Sequence, residues 1–364
     1  MAYYSISTNE MTKSGIIDVS NFDEFDSPYN FLTLSQSTYR HSNAPFSLFF
    51  TNYIADDENP FRLTALSPDF YMSTILSRPE FEKKVLGTPM HQQNTYELIY
   101  VLKGELYKRI ENIRHKYTAD SCTLINRNIR HTEEYLSDFY IVEISLDYDF
   151  LVSLIQNGED NFFQVEKKHT HTDLSQFIRD EFESDEYSRK NYIDFMPQPN
   201  TQNVNLSIYS VIDEISNLIL NPTVGTSLMI KALIYRILYF LNTKDYYITD
   251  SISLGTPAES KTFSEITRLM EQTDGRISRA ELSTQLNYSG NYINRIVQKY
   301  TGMSIFQYGN SFVMKKAAWM LKNTDQTVSS IIETLGFSDR THFYKLFFNE
   351  YHLTPKQYRK HFGD

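Results

Sequence analysis

The stretch ISRAELSTQLNYSGNYINRIVQKYTG (277–302) decides how this chain is read. RAELSTQL has the length and apolar spacing of a short helix with Leu282 and Leu286 turned inward. NYSG breaks it, and Ser289 stands where it can cap the next helix by accepting from that helix's free N–H groups. In that next helix Ile293, Ile296, Val297 and Tyr300 share one face at about 100° per residue. The opposite face carries Asn291, Asn294, Arg295 and Gln298 and no acidic residue. A short support helix, a tight turn and a helix with a polar outer face make a helix-turn-helix pattern. Its side chains suit base edges, because Asn and Gln match adenine N6/N7 and Arg matches guanine O6/N7.

The unit recurs. TVSSIIETLGFSDRTHFYKLFFNEYHLTP (327–355) follows the same plan about fifty residues later. IIETLGF is a support helix ending at Gly336, and Ser338 takes the capping place of Ser289. Phe343, Leu346 and Phe347 form the inner face, while Arg340, Thr341, Tyr344 and Lys345 lie outward. Between the units, SIFQYGNSFVMKKAAWMLKNT (304–324) is apolar at Ile305, Tyr308, Phe312, Ala317, Trp319, Met320 and Leu321 and reads as one long helix. At about 1.5 Å per residue it spans about 30 Å, close to one turn of B-DNA. Two recognition helices held that far apart can enter successive major grooves.

LGFSDRTHFYKLFFNEYHLTPKQYRK (335–360) resembles the signature of the AraC/XylS family of transcription regulators, and KYTGMSIFQY (299–308) resembles the junction of that family's first unit with its connecting helix. The resemblance covers about residues 262–362. It departs at Tyr351-His352-Leu353, where many members have a Gly, and at Phe312-Val313, where many carry an Arg. It implies base-facing roles for Asn291, Asn294 and Arg295 in the first unit, and for Arg340, Thr341, His342 and Lys345 in the second. His342 also fits helix packing or a phosphate contact. Lys299, Lys356 and Arg359 read as phosphate contacts, which position without specifying.

The resemblance also implies an N-terminal cupin-like barrel that senses a small molecule. HQQNTYELIYVLKG (91–104) bears on this, because His91, Glu97 and Gly104 keep the cupin metal spacing while Gln93 stands where the second His belongs. His131 closes the second half-motif. Three N/O donors suit Zn or Fe with an open position, but an amide is a poorer ligand than imidazole and suits orienting a hydroxyl or carboxylate. The expectation is therefore a ligand pocket at His91, Gln93, Glu97 and His131, with no metal and no cofactor. A hydroxyl-rich, sugar-like effector is the first guess, from these polar pocket candidates and the 27 Tyr and 25 Phe, an excess that a bias toward AT-rich codons also explains. The competing reading is a cupin-type dioxygenase or isomerase fused to an accessory DNA-binding domain.

Around these motifs the chain divides by composition and period. The expected fold is multidomain α+β: a cupin-like domain over 1–205, a helical dimerisation region over 206–246, a linker over 247–261, and an all-α domain with two helix-turn-helix units over 262–364. TYELIYVL, GELYKRIE, CTLIN and FYIVEISL read as strands, and 160–205 as polar and irregular. LSIYSVIDEISNLIL (206–220) and SLMIKALIYRILYFL (227–241) read as helices, the second apolar on more than one face and so a candidate dimer contact. ITDSISLGTPAESK (248–261) has linker composition.

The net charge of −10 argues against a generic nucleic-acid binder. Residues 261–364 carry 14 Lys/Arg against 9 Asp/Glu, leaving 21 against 36 for the first 260, so a basic end follows an acidic body. The single Cys122 rules out an intrachain disulfide and favours a reducing compartment. No signal peptide and no run of 18 or more apolar residues is visible, so the expectation is a cytoplasmic protein with no membrane partner. Its expected partners are an operator, an effector and a second copy, with RNA polymerase open as a further one. No nucleophilic triad or phosphate-cradling Gly loop supports enzymatic chemistry elsewhere.

Overall fold

The structure, a computed structural model, describes residues 17–18, 38–40, 42, 44–127, 129–156, 174, 176–178, 190–199, 202–254 and 258–362. Its N-terminal part is built on one curved sheet. The antiparallel strands β3 (Phe46–Tyr53), β4 (Phe61–Leu66) and β5 (Phe70–Leu76) lie beside β11 (Phe139–Leu146), then β7 (Tyr96–Ile110), β9 (Cys122–Ile125), β12 (Lys190–Pro197) and β13 (Tyr247–Leu254). Two-residue β1 (Ile17–Asp18) runs parallel to β5 at the far edge. β8 (Ile113–Thr118) and β10 (His131–Glu134) pair with the second half of β7. A separate parallel pair joins β2 (Tyr39–Arg40) to β6 (Gln92–Gln93).

The runs TYELIYVL and GELYKRIE, expected as two strands, form the single strand β7. It changes parity midway. Lys103 pairs with Tyr140 but Val101 with Ile141, so Leu102 is an extra residue and the strand carries a bulge. Ile99 and Val101 before the bulge, and Leu106 and Ile110 after it, therefore lie in one apolar cluster. Tyr96, Leu98 and Tyr100 face the other way. Gly104, at φ 80°, serves the bend: a Cβ there would stand 2.1 Å from the Asp138 carbonyl oxygen.

A closed barrel is not what the pairing gives. Among the described residues the end strands β1 and β13 each pair on one side only, so these residues form a sheet without the closure expected of a cupin-like barrel. The expected linker is corrected as well. Tyr247–Leu254 pairs with β12 along its whole length. Its polar sequence reflects an edge position, with Ile248, Asp250, Ser251 and Ser253 in solvent. Only 255–257 of that linker lie outside the described residues. The irregular stretch expected over 160–205 falls largely outside them too, and Lys190–Pro197 within it is β12.

Two helices cover one sheet face, α3 (Gln202–Leu220) and α4 (Thr226–Leu241); α1 (Arg78–Lys84) and α2 (Tyr148–Gln156) are shorter connections. Ile208, Val211, Ile212, Ile215 and Ile219 of α3, with Ile230, Ile234 and Ile237 of α4, join Leu98, Leu124 and Ile144 of the sheet. Each such side chain contributes about 1.5–3 kcal/mol on full burial. Leu228 and Met229 of α4 remain exposed. Tyrosines fill the seam: Tyr100 and Tyr247 hydroxyls meet at 3.3 Å, and Tyr247 donates to Asn205 at 3.1 Å. Tyr53, Phe61, Phe81, Tyr135 and Phe139 stack against one another. These rings serve packing, which removes much of the case for a sugar cage.

The C-terminal part is helical: α5 (Ala258–Gln272), α6 (Arg279–Leu286), α7 (Gly290–Thr301), α8 (Ile305–Asn323), α9 (Val328–Thr334), α10 (Arg340–Tyr351) and α11 (Pro355–Phe362). Side-chain caps set the starts. Ser278 and Ser304 form capping boxes with Glu281 and Gln307, Ser289 accepts from Tyr292 N–H, and Thr327 from Ser330 N–H. In the second unit the cap is Asp339 rather than Ser338. α8 serves both cores, with Tyr308 in the first unit's cluster and Val313, Ala317 and Leu321 in the second's. Trp319 points outward instead. His352 takes the left-handed C-cap that Gly302 takes in the first unit, so the sequence departure leaves the geometry intact.

Gly104→Ala is expected to lower stability by about 1–3 kcal/mol or more, read as an earlier urea midpoint in the tyrosine near-UV signal. An unchanged midpoint contradicts the role given to the bend.

Candidate nucleic-acid interface and a buried polar cluster

The caps Ser289 and Asp339 set a common register for the two units, so Asn291 corresponds to Thr341, Asn294 to Tyr344, Arg295 to Lys345 and Gln298 to Phe348. In α7, Ile293, Ile296 and Val297 are buried while Asn291, Arg295, Gln298 and Lys299 are exposed. In α10, Phe343 and Phe347 are buried while Arg340, Thr341, His342, Lys345 and Phe348 are exposed. Each unit thus presents an exposed outer face, polar in α7 and polar but for Phe348 in α10.

Not every sequence-proposed contact is equally available. Asn294 is half-buried, and its Oδ1 accepts from Ile305 N–H at 3.0 Å, holding the start of α8. Arg359 donates from Nε to the Leu321 carbonyl at 3.1 Å and so closes the end of α8. Both connect units within the domain, a job that helical spacing alone did not reveal. Asn291 accepts from Arg279, an exposed residue on α6 that sequence reasoning missed. Arg295 lies over the Tyr292 ring and stands 3.6 Å from Glu259, which also pairs with Lys299. The hydrogen bond from Lys299 holds the Glu259 carboxyl below its ordinary range. Lys345 and Lys356 are exposed cations.

The second arrangement lies inside the curved sheet. A backbone bridge between His91 and His131, at 3.0 and 2.9 Å, holds their imidazoles edge to face at 4.5 Å. Glu97 comes from β7, and its Oε2 stands 2.7 Å from His131 Nε2. Ser145 donates to Thr95 at 2.7 Å, Thr95 donates to Gln93 Oε1 at 3.4 Å, and the Gln93 amide donates to Glu97 Oε1. All four sequence-proposed ligand residues therefore converge, with Gln93 orienting Glu97.

Charged neighbours that the sequence did not expose complete the cluster. Lys108, carried inward by the bulge, pairs with Glu133 at 2.5 Å. Glu143 from β11 hydrogen-bonds Glu97, and Arg40 from β2 adds a buried guanidinium. Burial pushes the Glu97 carboxyl up to about 7 despite Lys108, and pushes Glu143 well above its ordinary range. Burial opposes ionisation of Glu133, but Lys108 and His131 outweigh it and hold it at about 2. Burial and then Lys108 lower His131 to about 3, and burial with Arg40 lowers His91 well below its usual value. Both imidazoles are thus neutral bases near neutral pH.

The sheet and the helical domain meet directly. Tyr39 is buried in the first unit's core, edge-on to Phe263 at 5.6 Å and with its hydroxyl 3.3 Å from that of Tyr308. Arg127 pairs with Glu271 at 2.7 Å, and Lys315 with Asp147 at 2.5 Å. A small crevice at this junction is lined by Gln92, Gln93, Arg127 and Thr267, among others. No helix among the described residues is long and apolar enough to cross a membrane.

The family match falls on the helical part. Residues 282–361 match the family described as helix-turn-helix domain. The chain is similar to the uncharacterized HTH-type transcriptional regulator YisR of Bacillus subtilis (strain 168), 34% identical over 92 residues, which are 25% of this chain and 32% of that protein. It is also similar to an uncharacterized HTH-type transcriptional regulator of Haemophilus influenzae, 39% identical over 90 residues, 24% of this chain and 29% of that one. Among solved structures it is similar to the C-terminal domain of the two-component response regulator yesN from Fusobacterium nucleatum, at 32% identity, covering 26% of this chain and 94% of that chain with a TM-score of 0.24. The chain spans about a third of the length of these curated relatives. Its C-terminal part carries an AraC-type helix-turn-helix domain.

Asn294→Ala is expected to lower the stability of the helical domain by about 0.5–2 kcal/mol, as loss of a helix cap does. Arg295→Ala stays within about 0.5 kcal/mol. Thermal unfolding followed by Trp319 on α8 distinguishes them, and equal losses contradict the division of roles.

Proposed function

We propose that this chain is a sequence-specific DNA-binding transcription regulator whose operator affinity is set by a ligand in the N-terminal sheet. The observation that carries the reading is the repeated unit in a shared register, with α7 and α10 presenting equivalent polar faces from the two halves of α8. Nineteen residues of α8 span about 28 Å, near the advance of one duplex turn. Arg295 and Lys345, at equivalent positions, read bases or their edges. Lys299 and Lys356 contact phosphates. Asn291, Gln298, Arg340, Thr341 and His342 complete the reading faces, while Asn294 and Arg359 contribute first by holding the units to α8.

Control enters through the junction. β2 offers one side chain to each side, as alternate residues of a strand must: Arg40 to the polar cluster, Tyr39 to the core beneath α7. A ligand at His91, Gln93, Glu97 and His131 shifts the population between arrangements of β2, and with it the freedom of the first unit. The effect on operator affinity is bounded by the ligand's differential affinity for those arrangements. The exposed Leu228 and Met229 of α4 support a second copy as a partner.

Arg295→Ala and Lys345→Ala are each expected to weaken operator binding by about 1–3 kcal/mol, measured by fluorescence anisotropy at fixed salt. Full affinity in both variants sinks this placement of the recognition helices. Tyr39→Ala is expected to make operator affinity insensitive to the state of the polar cluster. Retained sensitivity places the coupling elsewhere.

A further inference from the structure

Among the described residues, the buried atoms without a hydrogen-bond partner include three that meet inside the sheet: His91 Nδ1, Glu97 Oε2 and His131 Nε2. Their residues are 1%, 1% and 2% exposed, so solvent does not satisfy them. A buried polar atom left unpaired costs about 1–3 kcal/mol. Three together, on three segments, are a costly arrangement unless something else occupies their common focus. One donor atom from each of the three residues lies within 4.8 Å of the others.

Their surroundings fix which electrons point inward. His131 Nδ1 faces the Ile129 carbonyl at 3.3 Å, which places the ring proton on Nδ1 and leaves a lone pair on Nε2. His91 has a backbone hydrogen bond to Pro89, which leaves Nδ1 as its free nitrogen. Glu97 Oε1 is engaged by the Gln93 amide, so Oε2 is the oxygen left over. The 2.7 Å approach of His131 Nε2 to Glu97 Oε2 lacks the direction of a hydrogen bond. Two such atoms that close on each other without hydrogen-bond geometry, beside a third unpaired nitrogen on His91, form a focus that a cation would satisfy. Imidazoles held by carbonyls, and a carboxylate held by an amide, match the outer support that metal ligands generally have.

We propose that His91 Nδ1, Glu97 Oε2 and His131 Nε2 form a site for one divalent first-row transition-metal ion, with Gln93 as the positioning residue for Glu97. The inference rests on reading this cluster as the ligand site and names the ligand's chemical class. Two imidazoles and one carboxylate favour zinc, iron(II) or cobalt(II) over calcium or magnesium, which take oxygen ligands. Three protein donors leave a coordination position for a small molecule.

The test uses the full chain, stripped with a chelator and titrated with cobalt(II). The expected result is one ion per chain with a ligand-field absorption band. His91→Ala and His131→Ala lose the band, and Gln93→Ala weakens binding by about 10–100-fold. Where circular dichroism shows an alanine variant unfolded, Glu97→Gln preserves side-chain volume, and loss of the band in the folded variant supports the site. No stoichiometric binding by the wild-type chain, a band unchanged in these variants, or displacement of cobalt by millimolar magnesium overturns the proposal. Operator binding by the same preparation is measured separately. A chain that binds DNA but no cobalt refutes the metal site alone, and one that binds cobalt but no DNA refutes the regulator reading alone.

Discussion

The extra residue at Leu102 is the constraint on which the N-terminal part depends. A strand presents alternate residues to alternate faces, so without the bulge Lys108 would fall on the opposite face from Glu97. With it, one strand delivers a carboxylate and an ammonium to the same interior, and β10 and β11 bring Glu133 and Glu143 to meet them. Lys108 and Glu133 keep their charges by pairing. Glu97 and Glu143 share a hydrogen bond and hold on to protons because burial disfavours two adjacent anions. A buried network of this kind is most stable when every member is satisfied, and the unpaired atoms of His91, Glu97 and His131 mark one place where satisfaction is incomplete.

From that interior the fold has a short path to the helical domain. Arg40 and Tyr39 are neighbours in β2, and β2 is held by β6, the segment that also carries Gln93 and follows His91. In the proposed mechanism this pairing is the route by which movement of His91 or Gln93 would reach a tyrosine in the core under α7. Arg127–Glu271 and Lys315–Asp147 flank this contact. The ion pairs fix the orientation of the two parts, and the aromatic contact ties that orientation to the first recognition helix.

How much of this the sequence disclosed follows from the range of each interaction. The helix-turn-helix units were legible because caps, turns and apolar period are local, and Ser289, Ile293 and Val297 behave as their spacing implies. Ser338 was misassigned because Asp339 competes for the same cap one residue later. The roles of Asn294 and Arg359 were hidden, since a polar outer residue gives no sign that a neighbouring helix end lies within reach. His91, Gln93, Glu97 and His131 were found by spacing, but Arg40, Lys108, Glu133 and Glu143 were not. Their placement depends on a bulge and on cross-strand register. β13 was read as linker because an edge strand can be polar; only its partner β12 makes it a strand. Barrel closure, a long-range pairing, was carried over by resemblance, and the described residues do not close.

The proposed function depends on two recognition faces held apart by the single helix α8. The most direct measurement is a hydroxyl-radical footprint of the full chain on operator fragments recovered by its own binding. Two protected segments on one face of the duplex, spaced by about one helical turn, are the predicted result. Protection of a single groove segment, or protection unchanged when Lys345→Ala is compared with wild type, contradicts it.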